Sequence, residues 1–196
     1  MSAFDLEDSF IDLYWIPVGA GKHLQSWSLA LYEFLAAVCA RRPRATLYHG
    51  ALKIRLRGRS QTIELMTVPR RQPNPPLMTG PLWIRGADRW RLFRYQLYSA
   101  DSDRFPDEKW AVGSPKRLTT DPATVERLLE SAPALPSHTW GRRAAGTTEM
   151  WTSDSATSWL LARSGIDLSQ ITLPEDGRAP GWKAGAEVLT GSPKVR

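Results

Sequence analysis

Apolar and polar positions along the chain follow two periods, one typical of strands and one typical of helices. Residues 8–17 are mostly apolar and aromatic, a composition that favours a first strand. Residues 26–41 repeat apolar side chains every three to four positions, with serines at the start and arginines at the end. This spacing predicts a helix, because three to four residues make one helical turn.

The middle of the chain reads as a β-hairpin followed by another strand. Residues 44–58 and 60–68 alternate in character and are separated by the short polar sequence RGRS, which predicts two paired strands. The alternation places His49 and Tyr48 on opposite faces of the first of these strands. The proline-rich residues 69–81 predict a long exposed loop, and residues 89–99 predict a third strand of this region.

Two further helices are predicted in the C-terminal part. Thr120 or Asp121 can cap the first, and Pro122 suits its first turn. The second covers residues 154–164 and ends at Gly165, whereas residues 174–188 predict a turn rich in glycine and proline. The order of elements predicts a single α+β domain, residues 1–196, with a mainly antiparallel sheet and packed helices.

Charge and cysteine content narrow the functional classes. The formal net charge is +6, and the arginines are scattered. We interpret them as a solvated basic face, which leaves an anionic partner open and makes nucleic-acid binding the less favoured reading. The one cysteine, Cys39, lies in an apolar run and makes no intrachain disulfide, which fits the cytoplasm. The acidic start is unlike a signal peptide, and no apolar run reaches the ~18 residues of a membrane span.

Neither a phosphate-binding loop nor a metal site is predicted. The segment VGAGKH, residues 18–23, has Ile16 where a Walker loop needs glycine and His23 where it needs serine or threonine. The three histidines His23, His49 and His138 have no ligand spacing and no cysteine or carboxylate cluster beside them. We therefore expect no metal and no cofactor.

A serine nucleophile is the best-supported candidate for chemistry. Ser155 lies at the start of a predicted helix, where backbone N–H groups and the helix dipole can hold an oxyanion. His49 on a strand supplies a base, and Gln61 or Glu64 on the next strand can orient its ring. Ser153 is the more natural N-cap, which would leave Ser155 free of a capping role.

The sequence D-S-A-T-S-W-L-L-A-R-S-G, residues 154–165, resembles the helix motif of the circularly permuted papain-like proteins. These include the lecithin:retinol acyltransferase-like hydrolases and the NlpC-type peptidases. In this resemblance Asp154 stands where the family motif has an asparagine, and Ser155 stands where it has the nucleophilic cysteine. Arg163 and Gly165 fall in register, and His49 in LYHGALKI is the strand histidine. The resemblance implies a permuted papain-like fold and a hydrolase or acyltransferase that acts on an amide or ester of a small molecule or peptide.

Serine at the cysteine position departs from that pattern. A thiol ionises near neutral pH, whereas a serine hydroxyl needs a well-aligned base during attack. Three functions therefore stay open: an active hydrolase, a catalytically inactive relative that binds a small molecule or protein, and a basic protein that binds an anionic partner. The hydroxyl of Ser155 can instead serve only as a helix cap. A possible cleft beside Ser155 would be lined by Ser153, Asp154 and three large rings, those of Trp151, Trp159 and Tyr48, although these rings can instead belong to the core.

Overall fold

The computed structural model describes residues 8–18, 45–66, 76, 78–90, 93–104 and 107–191, and the side chains of residues 64–66 and 87 are not part of this description. The predicted helix at 26–41 lies outside the described residues. So do Cys39, His23 and most of the glycine-containing segment at 18–23.

The described strands are β1 (Phe10–Pro17), β2 (Thr46–Leu56), β3 (Arg59–Met66), β4 (Met78–Pro81), β5 (Arg94–Ala100), β6 (Lys116–Thr119) and β7 (Gly177–Arg178). They form one mostly antiparallel sheet in the order β4-β5-β3-β2-β1-β6, and the short strand β7 pairs in parallel with the start of β2. The prediction of an α+β fold with a mainly antiparallel sheet is confirmed.

The hairpin prediction is also confirmed, since β2 and β3 join through a turn at Arg57 and Gly58 that has positive φ at both residues. The loop predicted at residues 69–81 is partly wrong. Its last four residues form β4, which among the described strands pairs with β5 at the sheet edge. Residues 69–75 and 77 lie outside the described residues. An edge strand tolerates Pro81, because a proline lacks the backbone N–H group, and a strand at the edge of a sheet needs no N–H donor on its outer side.

Strand β1 is buried on both faces. Ile11 and Leu13 point towards the main core, whereas Tyr14 and Ile16 belong to a second buried cluster with Ala51. Successive side chains of a strand point to opposite faces, so an apolar run without polar alternation marks a strand covered on both sides.

Three α-helices lie in the described C-terminal part: α1 (Pro122–Ser131), α2 (Ser153–Arg163) and α3 (Trp182–Thr190). Helix α1 begins as predicted, with the Asp121 carboxylate accepting from the backbone of Ala123 and Thr124. Val125 and Leu128 are fully buried against the sheet core. Helix α2 contacts β2, α1 and α3, so it lies at the centre of the helical layer.

Helix α3 was not predicted, and the turn predicted at residues 174–188 is wrong from Trp182 onwards, where the chain is helical. Gly185 lies in the helix interior, and the residues before the helix are rich in glycine and proline, so local propensity favours a turn there. The helix forms because it packs against α2, the most extensive helix–helix contact of the described fold. Tertiary packing supplies most of the stability of a helix of this length, and the local sequence does not reveal that packing.

Candidate functional site

The candidate site lies where the pairing of β2 with β3 ends. At this point side chains of helix α2 form hydrogen bonds with the backbone of β2. The β2–β3 pairs run from Leu56–Arg59 to Leu52–Ile63. Beyond them, the Gly50 amide donates to Oδ1 of Asp154 at 2.8 Å. The Thr157 hydroxyl donates to the Gly50 carbonyl at 3.1 Å. Two side chains of α2 thus replace a strand neighbour and fix β2 to the first turns of the helix.

A small cavity of about 10 Å³ lies at this junction. Such a volume holds about one water molecule. Two lining residues, His49 and Ser153, are partly exposed, and the others are buried. The cavity therefore has a polar mouth and a mainly apolar floor. The buried lining residues are Gly50, Ala51, Ile63, Leu97, Ala156, Thr157 and Leu160.

Ser153 is the first residue of α2 rather than its cap. Thr152 is the N-cap, with extended backbone and a hydroxyl that accepts from the Asp154 amide at 3.1 Å. The prediction that Ser153 caps the helix is therefore wrong by one residue. Its hydroxyl is not used as the cap, and it lies beside the positive end of the helix dipole.

Ser155 completes the cap that Thr152 begins. Its hydroxyl oxygen accepts from the Thr152 amide at 3.0 Å and donates to the Gly181 carbonyl at 2.7 Å. The residue is 0% exposed. The expectation that Ser155 is free of a capping role is wrong, because the two residues form a reciprocal capping box. A hydroxyl enclosed in this way reaches a substrate carbonyl only if α2 and α3 separate.

Small residues bring the two helices into close contact at Ser155. A methyl group on Gly185 of α3 would overlap the Ser155 carbonyl and the Ser158 hydroxyl oxygen. Gly181, the N-cap of α3, has a φ of 90°, and a methyl group there would meet the side chains of Thr152 and Ser155. The serines of this segment thus cap α2 and give α3 room to approach.

Two polar residues, Gln61 and Glu64, were expected to orient the His49 ring, and the structure tests this expectation for Gln61 only. Gln61 pairs with Ile54, five positions along β2 from His49, a separation of roughly 17 Å at the rise of a strand. Its side-chain oxygen accepts from the Ser99 hydroxyl at 3.5 Å. The register thus separates Gln61 from His49. Glu64 pairs through its backbone with Tyr98, and its side chain lies outside the described residues.

The three large rings expected near the site, those of Trp151, Trp159 and Tyr48, belong to the buried core. The Trp151 indole donates to the Tyr95 hydroxyl at 3.1 Å, and that hydroxyl donates to the His138 carbonyl at 2.6 Å. None of the three rings lines the cavity. Of the two alternatives for these rings, a cleft wall or the core, the structure supports the core.

Asp154 is a buried carboxyl with a raised pKa. Burial raises the pKa of Asp154 to about 8, the charge of Glu149 adds to this rise, and the hydrogen bond from Gly50 opposes it. Asp154 therefore holds the Gly50 amide chiefly as a neutral acid at neutral pH. The sequence motif placed Asp154 among the possible cleft residues, but it could not predict the bond to Gly50, which joins residues 104 positions apart.

Within the described ranges, histidine, cysteine and acidic side chains do not gather into any group of three or more that could hold a metal ion. In the same part of the chain, no helix is both long and apolar enough to cross a membrane. Comparison with models of known protein families, with curated proteins and with solved structures finds no match.

Proposed function

We propose that the protein is a hydrolase or acyltransferase for a small ester or amide, with Ser153 as the nucleophile and His49 as the base. The observation that carries this proposal is that these two side chains are the partly exposed members of one cavity. Both can meet a substrate from solvent at the polar mouth of the cavity, whose interior has room for about one water molecule.

These two groups can account for every proton and acyl transfer of the reaction. His49 accepts the Ser153 hydroxyl proton while the hydroxyl oxygen attacks the carbonyl carbon, and the resulting imidazolium then protonates the leaving alcohol or amine. The acyl group stays on Ser153 until water or another acceptor removes it. The oxyanion develops near the start of α2, where the helix dipole favours negative charge.

The proposal moves the reactive hydroxyl two residues from the position that the papain-like resemblance gives it. Support for the move is burial: Ser155 is enclosed between two helices, whereas Ser153 is partly exposed. A permuted papain-like fold remains part of the proposal, and Asp154 becomes a positioning residue that anchors the strand carrying His49. The single cysteine suits the cytosol, where we place the reaction.

A fluorophosphonate probe tests the proposal, because it phosphonylates a serine that has an aligned base. We expect labelling of the native protein and its loss in Ser153→Ala and in His49→Ala. Ser114→Ala is the matched control, since Ser114 is exposed and lies outside the cavity. Absence of labelling between neutral and alkaline pH in a folded protein would contradict catalysis and favour the inactive, ligand-binding alternative.

A further inference from the structure

Exposed aromatic side chains and arginines share the loop between β4 and β5. Trp83, Ile84 and Trp90 expose 49%, 50% and 54% of their surfaces. Arg85 and Arg89 of the same loop are exposed too, and the exposed Arg142 joins them by donating from Nε to the Trp83 carbonyl. We call this surface the Trp83 face, and its members are Trp83, Ile84, Arg85, Arg89, Trp90 and Arg142.

The fold holds this loop in place. The Leu82 amide donates to the Phe93 carbonyl at 2.8 Å and closes the neck of the loop. The Trp83 amide donates to the Trp140 carbonyl at 3.0 Å. Trp83 has a φ of 59°, in the left-handed region that a bulky residue rarely adopts. A strained backbone of this kind persists only where its surroundings impose it, and such positions cluster at functional sites.

The Trp83 face combines apolar area with positive charge. The Arg89 guanidinium lies 4.7 Å from the centre of the Trp90 ring. One acidic residue, the half-buried Asp88, lies among the described loop residues with Arg85 and Arg89. A partner that fits this surface must accept apolar side chains and also carry negative charge.

We propose that the Trp83 face docks the protein on the surface of a bilayer that contains anionic phospholipids. The interface of such a bilayer accepts tryptophan rings and an aliphatic side chain, and its phosphate groups bind the arginines. This inference is independent of the function proposed for Ser153.

A lipid surface fits the Trp83 face better than a nucleic acid does. Phosphates of a nucleic acid would satisfy the arginines, but exposed Ile84 has no ring for a base to stack on. The Trp90 ring is already covered by Arg89 and contacted by Phe93, whose ring centre is 6.2 Å away. A base that stacks on this ring would have to compete with the Arg89 guanidinium, whereas a headgroup region can take up the Arg89–Trp90 pair as it stands.

The chain offers a matched control at the other side of the sheet. Trp110 is 45% exposed, and the Lys109 ammonium lies 5.3 Å from its ring centre, so it repeats the Arg89–Trp90 pair. Trp110 lies in a 3₁₀ turn against β1, whereas the Trp83 face follows β4 at the opposite end of the strand order.

Sedimentation of the full chain with vesicles tests the proposal. We expect binding to mixed phosphatidylcholine and phosphatidylglycerol vesicles to exceed binding to phosphatidylcholine alone by roughly tenfold or more. Arg85→Gln and Arg89→Gln should each lower binding about fivefold. Trp90→Ser should also lower it several-fold, and Trp110→Ser should leave it unchanged. Circular dichroism checks that each variant folds.

Three outcomes would overturn the proposal. Equal binding to both kinds of vesicle would exclude recognition of anionic lipid. Equal losses in Trp90→Ser and Trp110→Ser would show that the Trp83 face is not the docking surface. Tighter binding to a single-stranded oligonucleotide than to the mixed vesicles would assign the surface to nucleic acid instead.

Discussion

The amide of Gly50 donates to Oδ1 of Asp154 at 2.8 Å and joins the strand that carries His49 to the helix that begins at Ser153. Thr157 makes the complementary bond to the Gly50 carbonyl. The proposed base and nucleophile thus lie on two elements that are fixed to each other beside the cavity. A site needs this kind of support, because small displacements of reacting groups are costly.

Asp154→Asn should change how stability depends on pH. The pKa of Asp154 is raised by burial from its ordinary value of 3.8 to about 8. Its contribution to stability is therefore full below about pH 4 and is lost as the pH rises towards about 8, at up to about 1.4 kcal/mol per pH unit. Asparagine keeps an acceptor for Gly50 and cannot ionise, so this loss should disappear.

Urea unfolding from pH 5 to pH 9 measures the difference, because other titrating groups affect both proteins alike. The free energy of unfolding of the native protein should fall relative to that of Asp154→Asn over this range. Parallel pH profiles would show that Asp154 is ionised in the folded protein and would contradict the assignment of a neutral acid.

Ser155→Ala should weaken the fold while sparing the proposed chemistry. The substitution removes the acceptor for the Thr152 amide and the donor to the Gly181 carbonyl. Loss of a cap with a buried hydrogen bond costs about 1–3 kcal/mol. Ser153→Ala removes a partly exposed hydroxyl and should cost about 0.5 kcal/mol or less.

Urea unfolding and fluorophosphonate labelling separate the two serines. Ser155→Ala should unfold at lower urea and still be labelled below that concentration, and Ser153→Ala should show the reverse pattern. A stable Ser155→Ala variant that has lost its label would instead support the original assignment of Ser155 as the nucleophile.

Gly185→Ala should destabilise the protein, although alanine ordinarily stabilises a helix by about 0.5–1 kcal/mol relative to glycine. The added methyl group would overlap the Ser155 carbonyl and the Ser158 hydroxyl, so α2 and α3 must move apart. Overpacking of this kind costs about 1–3 kcal/mol or more. Lys183→Ala, at an exposed position of the same helix, is the control.

Thermal and urea unfolding measure both variants. A midpoint for Gly185→Ala equal to or above that of the native protein would show that the two helices do not pack as closely as described. An equal fall of the unfolding midpoint in Lys183→Ala would show that α3 is destabilised by any substitution, and that the effect is not specific to the close contact at Gly185.

Local patterns predicted much of the fold. Strand β1, the hairpin and the capped start of α1 follow from alternation, turn residues and the Asp121–Pro122 pair, all of which act within a few positions. Helix α3 and strand β4 escaped prediction because their formation depends on α2 and β5, which are distant in sequence.

The site was predicted less well for the same reason. Sequence spacing identified His49 and the serine-rich start of α2, but it could not choose among the serines. The choice depends on Gly181, whose carbonyl binds Ser155 from 26 positions away. Only the packing of α3 shows that Ser155 is enclosed, and only the contact of α2 with β2 shows that Ser153 lies at the cavity with His49.

Mass spectrometry of the fluorophosphonate adduct tests the central claim most directly, because it identifies the serine that reacts. We predict a single phosphonylated peptide with the adduct on Ser153, and its disappearance in His49→Ala. An adduct on Ser155 or on a serine outside the cavity would contradict the proposed site, as would an adduct on Ser153 that persists without His49.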